Sequence, residues 1–134
     1  MDQRPLSPHL GVYKFAYTMS LSILHRITGC AAAVGFLLFV WWLMALASGP
    51  AAYASALRAL SLPLVKLLLV GFTFSFVYHF CNGIRHLVWD TGRGLERAQA
   101  RRSGAVVIVA ALLLTAVAVW FGCRAMGFAV SGIG

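Results

Sequence analysis

The chain has 134 residues, 61% of them hydrophobic and only 10% charged, with a formal net charge of +8 at pH 7. Soluble domains carry roughly a quarter charged residues, so one water-soluble core is excluded as a home for this much apolar surface. The positive charges flank apolar stretches instead of forming one continuous basic face, which also argues against a nucleic-acid footprint.

In chain order, residues 1–21 mix Pro, His and charged residues where a cleavable signal peptide would need an uninterrupted apolar region. They are not rich in Arg and Ser in the manner of a transit peptide either. This favours a bacterial cytoplasmic (inner) membrane, with the mitochondrial inner membrane as the alternative. Three stretches then lack any Asp, Glu, Lys or Arg: Ile27 to Leu57, Leu67 to Ile84, and Ser103 to Cys123. About 20 residues, each rising roughly 1.5 Å, cross the hydrocarbon, so three transmembrane helices are expected.

The first is expected over 22–47, stopping at the breaker cluster Ser48-Gly49-Pro50. The second, over 64–89, follows Pro63, which suits a first helical turn. The third, over 103–125, starts at Ser103 as a plausible N-cap. Two short connections leave no room for a soluble domain. The fold class is therefore an all-α integral membrane protein, a single membrane-anchor domain over 1–134.

Short loops rich in Lys and Arg stay on the cytoplasmic side. The N-terminal segment and the second loop together hold Arg4, Lys14, Arg26, Arg85, Arg93, Arg97, Arg101 and Arg102, against Arg58, Lys66 and Arg124 on the other side. This predicts the N-terminus inside and the C-terminus outside. Cys30, Cys81 and Cys123 all fall in expected spans with no CxxC spacing, so neither a disulfide framework nor a zinc site is supported.

An ionisable group inside a span is expensive and points to function. On the second helix, Gly71, Ser75, His79, Asn82 and His86 fall within roughly 80° of one another, a narrow stripe facing protein or a cofactor. Leu67, Leu68, Phe72, Phe74, Phe76 and Val77 occupy the other directions. His79 lies roughly 15 Å from the inner end of its helix, near the bilayer middle. A neutral imidazole there can ligate haem iron, and Gly83 leaves space for a flat macrocycle. It can equally hydrogen-bond a neighbouring helix, contact a quinone or relay protons, and the stripe alone does not decide.

Haem propionates need cationic or hydrogen-bonding partners near the membrane surface, where Arg85 and His86 lie. On the first helix Ser22, His25, Arg26 and Gly29 form another stripe at the same inner surface. The plainer alternative is that Arg26, Arg85 and His86 snorkel to lipid headgroups.

Three segments carry a resemblance to a known family: Arg4-Pro5-Leu6-Ser7-Pro8-His9-Leu10 with Tyr13 following; Ser22 to Gly29, reading SxxHRxTG; and His79 to Asp90, reading HxxxGxRHxxxD. The chain resembles the cytochrome b556 membrane-anchor subunits of succinate dehydrogenase (succinate:quinone oxidoreductase, respiratory complex II). The resemblance implies that His79 is an axial ligand of haem b. It also implies that Ser22 and Arg26 contribute to a ubiquinone pocket, that His25 and Arg26 contact a haem propionate, and that Arg85 and His86 support the same region.

Asp90, four residues after His86, is expected to form an ion pair with it. His9, His25 and His86 all map to the inner surface in this reading, so no second histidine is expected at the depth of His79. The resemblance implies that a companion small anchor subunit supplies the second axial ligand. It further implies an iron-sulfur subunit and a flavoprotein subunit docked on the inner face. Nothing in the chain binds flavin, iron-sulfur clusters or dicarboxylate, so it is not expected to be catalytic alone.

Two alternatives are a haem-free structural anchor of a related fumarate reductase-type complex and a small transporter subunit. A transporter predicts broken helices or inverted repeats at midplane, and none is apparent.

Overall fold

The computed structural model describes residues 17–131, with side chains described for 17–124; the Arg4 to Leu10 segment, His9, Tyr13 and Lys14 lie outside the described residues. Four helices follow in order: α1 (Tyr17–Ala47), α2 (Pro50–Ser61), α3 (Pro63–Asp90) and α4 (Arg97–Ser131). Three of them, α1, α3 and α4, are long and apolar enough to cross a membrane. The all-helical architecture with three candidate spans agrees with the expectation from composition. The short helix α2 was not anticipated.

It occupies what the sequence suggests is a plain connection. Gly49 turns the chain with φ of 106°, a conformation that side-chain-bearing residues rarely adopt, and Pro50 then occupies the first turn of α2. The same device recurs at once, with Leu62 extended and Pro63 opening α3. Between these prolines the run Ala-Ala-Tyr-Ala-Ser-Ala-Leu-Arg-Ala-Leu is rich in strong helix formers. Ala56 is buried, and Tyr53 reaches Trp42 of α1 at 6.4 Å between ring centroids.

Two helices start earlier than their apolar stretches. α4 begins at Arg97 because Arg-Ala-Gln-Ala-Arg-Arg carries high helix propensity. Ser103 is therefore inside a helix, where its hydroxyl donates to the Ala100 carbonyl at 3.2 Å. α1 likewise begins at Tyr17, which places His25 two turns into the helix.

α3 runs along both α1 and α4, which touch each other over a shorter stretch. Tyr78 is completely buried and, with Val107 and Ala111 of α4, forms the centre against which Leu24, Phe74, Val77, Cys81 and Ile108 pack. Small residues let the helices approach, as is usual where lipid gives helix association no hydrophobic drive. A Cβ at Gly35 would meet the Phe72 ring 2.8 Å away, and one at Gly104 would collide with Leu21. The outward surface is apolar: Leu37, Leu67 and Val106 are 70%, 68% and 66% exposed. Such a surface suits acyl chains and not water.

Candidate functional site

Adjacent residues of α3 grip α1 at carbonyls one turn apart. The Tyr78 hydroxyl donates to the Leu21 carbonyl at 3.2 Å, and His79 Nδ1 lies 3.1 Å from the His25 carbonyl. A carbonyl only accepts, so Nδ1 carries the proton and Nε2 retains its lone pair. The His25 ring stacks on that of His79, with centroids 4.0 Å apart and planes 4° from parallel. His86 joins them at 5.2 Å from His25.

Three histidines expected on two stripes therefore meet at one seam between α1 and α3. One part of the sequence reading needs correction: His25 is not confined to the inner surface, away from the depth of His79. With α1 starting at Tyr17, its ring sits level with that of His79. Parallel rings direct their nitrogens side by side, so His25 and His79 cannot clasp one iron between them.

His25 Nδ1 is buried and has no hydrogen-bond partner among the described residues. Such a group is costly unless something polar meets it. Thr28, also buried, directs its hydroxyl at the Leu24 and His25 carbonyls, at 2.8 and 3.0 Å. This leaves the inward side of α1 smooth beside His79. Ser22 and Arg26, one turn apart on α1, are both exposed.

Arg85 departs from the expected cluster. Its guanidinium turns into α4, donating from Nε to Ser103 Oγ at 2.9 Å and from Nη2 to the Ala100 carbonyl at 2.8 Å, while Nη1 donates to Asn82 Oδ1 at 3.2 Å. It is only 6% exposed. Trp89 covers it at 3.9 Å, meets the His86 ring edge-on at 5.1 Å, and donates from its indole nitrogen to the Gly94 carbonyl at 3.0 Å. Trp89 thus lies against both Arg85 and His86, tying the end of α3 to the following turn. Asp90 is exposed at the helix end, whereas the His86 ring meets Trp89 and His25.

Replacing Arg85 with Leu should destabilise the α3–α4 pair by about 2 kcal/mol or more, since hydrogen bonds to a charged donor contribute roughly 1.5–3 kcal/mol each and are not additive. Thermal melts of the detergent-solubilised protein would register this. Arg85→Lys should recover only part of it, because an ammonium cannot span three acceptors as the planar fork does.

Sequence reasoning missed Tyr78, the largest fully buried side chain among the described residues. A tyrosine among Phe and Val reads as another apolar position, and only the Leu21 carbonyl on another helix gives its hydroxyl a purpose. The cysteines are free, with Cys30 and Cys123 exposed and Cys81 partly buried.

The fold and the seam define a class: a membrane helix bundle with three candidate spans and clustered imidazoles at one seam between α1 and α3. Residues 1–118 match the family model described as succinate dehydrogenase/fumarate reductase transmembrane subunit. The succinate dehydrogenase cytochrome b556 subunit of Rickettsia prowazekii (strain Madrid E) is 43% identical over 114 residues, covering 85% of this chain and 89% of that protein. The same-named subunit of Paracoccus denitrificans is 40% identical over 111 residues, 83% of this chain and 85% of that one. The mitochondrial succinate dehydrogenase cytochrome b560 subunit of Sus scrofa is 38% identical over 114 residues, 84% and 68% respectively.

The chain belongs to the succinate dehydrogenase/fumarate reductase transmembrane subunit family. With bacterial and mitochondrial relatives and three apolar helices, it is a multi-pass inner-membrane protein.

Proposed function

We propose that this chain is the haem b- and ubiquinone-binding anchor subunit of a succinate:quinone oxidoreductase. In this reading it holds an iron-sulfur subunit and a flavoprotein subunit at the inner membrane face. The observation that carries it is the His79 hydrogen bond to the His25 carbonyl, which fixes the tautomer that keeps Nε2 available to a metal. The names of the relatives, cytochrome b subunits of succinate dehydrogenase, point the same way.

The residues present fit a haem. His79 offers a neutral imidazole nitrogen within an apolar bundle, and the orphaned His25 Nδ1 suits a propionate beside it. When bound, haem supplies one-electron redox chemistry. His79 would hold the iron through Nε2, while His25, Arg26 and His86 would meet the propionates from the inner side. Arg85, its guanidinium taken up by α4, would set the position of His86 through Trp89 and not touch the propionate itself.

The second axial ligand would come from a companion anchor subunit packed over the seam, since the stacked His25 cannot provide it. Ser22 would donate its hydroxyl to one quinone carbonyl and Arg26 would hold the other end by charge, in a pocket completed by a neighbouring subunit. The concentration of arginines around the α3–α4 turn favours that end as the inner one, with the N-terminus inside and the C-terminus outside.

A dithionite-reduced minus oxidised difference spectrum of the purified complex tests this. The expected result is the absorbance of a b-type haem; a spectrum lacking it would leave a haem-free anchor as the better account.

A further inference from the structure

Two features of α1 lie against His79 and have no role in iron ligation itself. A Cβ built on Gly29 would stand 2.8 Å from His79 Cε1, 3.1 Å from Nδ1 and 3.7 Å from Nε2. The Nδ1–Cε1 edge of the ring thus rests directly on the α1 backbone, in space that any side chain would take. Side-chain Cβ atoms essentially never approach a neighbour as closely as 2.8 Å, so an added methyl must push the ring away. The second feature is the His25 carbonyl, which accepts the hydrogen bond from the Nδ1–H one turn before Gly29. The His25 ring, parallel at 4.0 Å, closes the remaining freedom of the imidazole to tilt.

Resting on the haem reading above, we infer that Gly29 is a positioning residue for the haem ligand. Its bare backbone lets the His79 ring lie close enough to α1 for the Nδ1–H to reach the His25 carbonyl. This bond makes the imidazole a stronger donor to iron and stabilises the ferric form. Gly29 thereby contributes to the redox potential of a metal it never touches. Glycine is required here for proximity, since it lies inside regular helix. Gly71, Gly83 and Gly122 have open space where a Cβ would stand. Gly35 and Gly104 also sit where a Cβ would meet a neighbouring helix, at Phe72 and Leu21, but among the described helical glycines it is Gly29 whose Cβ would meet the histidine.

The test compares Gly29→Ala with Gly71→Ala and His79→Ala in the intact, purified complex. Gly29→Ala should assemble and oxidise succinate with an artificial acceptor. Its haem midpoint potential should rise, its ferric low-spin EPR signal should shift, and its haem affinity should fall roughly 10- to 100-fold, measured as transfer to excess apomyoglobin. Gly71→Ala should match the unmodified complex in all three.

Unchanged potential, signal and transfer in Gly29→Ala, with haem lost from His79→Ala, would overturn this inference and leave the haem assignment standing. Haem retained at full absorbance in His79→Ala would overturn the assignment and the inference together. Should Gly29→Ala not accumulate, the unmodified complex decides by electron-nuclear double resonance. A quadrupole coupling at the non-ligating nitrogen of one iron-bound imidazole shifted by a hydrogen bond from its N–H, relative to an unbonded imidazole ligand, supports the carbonyl bond, and the unbonded value at every imidazole ligand overturns it.

Discussion

His79→Ala should abolish the reduced b-type absorbance of the assembled complex while leaving succinate oxidation by an artificial acceptor intact. The physical reason is that alanine removes the one imidazole among the described residues whose tautomer and orientation are both fixed from outside its own helix. Losing a hydrogen-bond partner of a ligand costs roughly 10- to 100-fold in affinity, and losing the ligand itself should cost more. The methyl that remains leaves Tyr78 and its bond to the Leu21 carbonyl undisturbed, so the α1–α3 contact should survive. The measurement is a redox difference spectrum of purified complex, normalised to total protein. A spectrum equal to that of the unmodified complex would remove His79 from the haem site.

The second large effect concerns the exposed Ser22 and Arg26 of α1. Arg26→Leu should lower kcat/KM for quinone reduction by roughly 10- to 100-fold, the rate equivalent of about 1.5–3 kcal/mol for a hydrogen bond from a charged group. Ser22→Ala removes a neutral hydroxyl and should cost less, on the order of threefold to tenfold. Because both side chains are exposed in the isolated chain, neither change should unsettle the helix packing. Electron delivery from succinate to an artificial acceptor should stay at its original rate. An equal fall in both activities would mean that the substitutions disturb assembly and would sink the quinone assignment.

How far these residues were legible beforehand depends on whether their signal is local or crosses between helices. The spans announced themselves, since long charge-free runs have few other homes. The stripes on α1 and α3 followed from helical period, and the motif spacing tied them to one family. What period cannot supply is the rotation of one helix against its neighbour. Arg85 and His86 are sequence neighbours, yet one is drawn into α4 by Ser103 and Ala100 while the other faces His25. The depth of His25 differs from the expectation because a helix starting at Ser22 puts it in the first turn, whereas α1 already runs from Tyr17. Helix α2 was missed for a related reason: Gly-Pro ends a helix, but it can also begin the next.

The early start of α4 has a mechanical consequence. Arg97, Arg101 and Arg102 stand on rigid helix instead of loop, so their backbone is already ordered before anything arrives. Whatever acidic surface lands on that end meets a cationic post of fixed height and loses little conformational freedom in gripping it. Force applied there passes straight down the same rod to Ser103, and from Ser103 into the arginine that holds α3 in place.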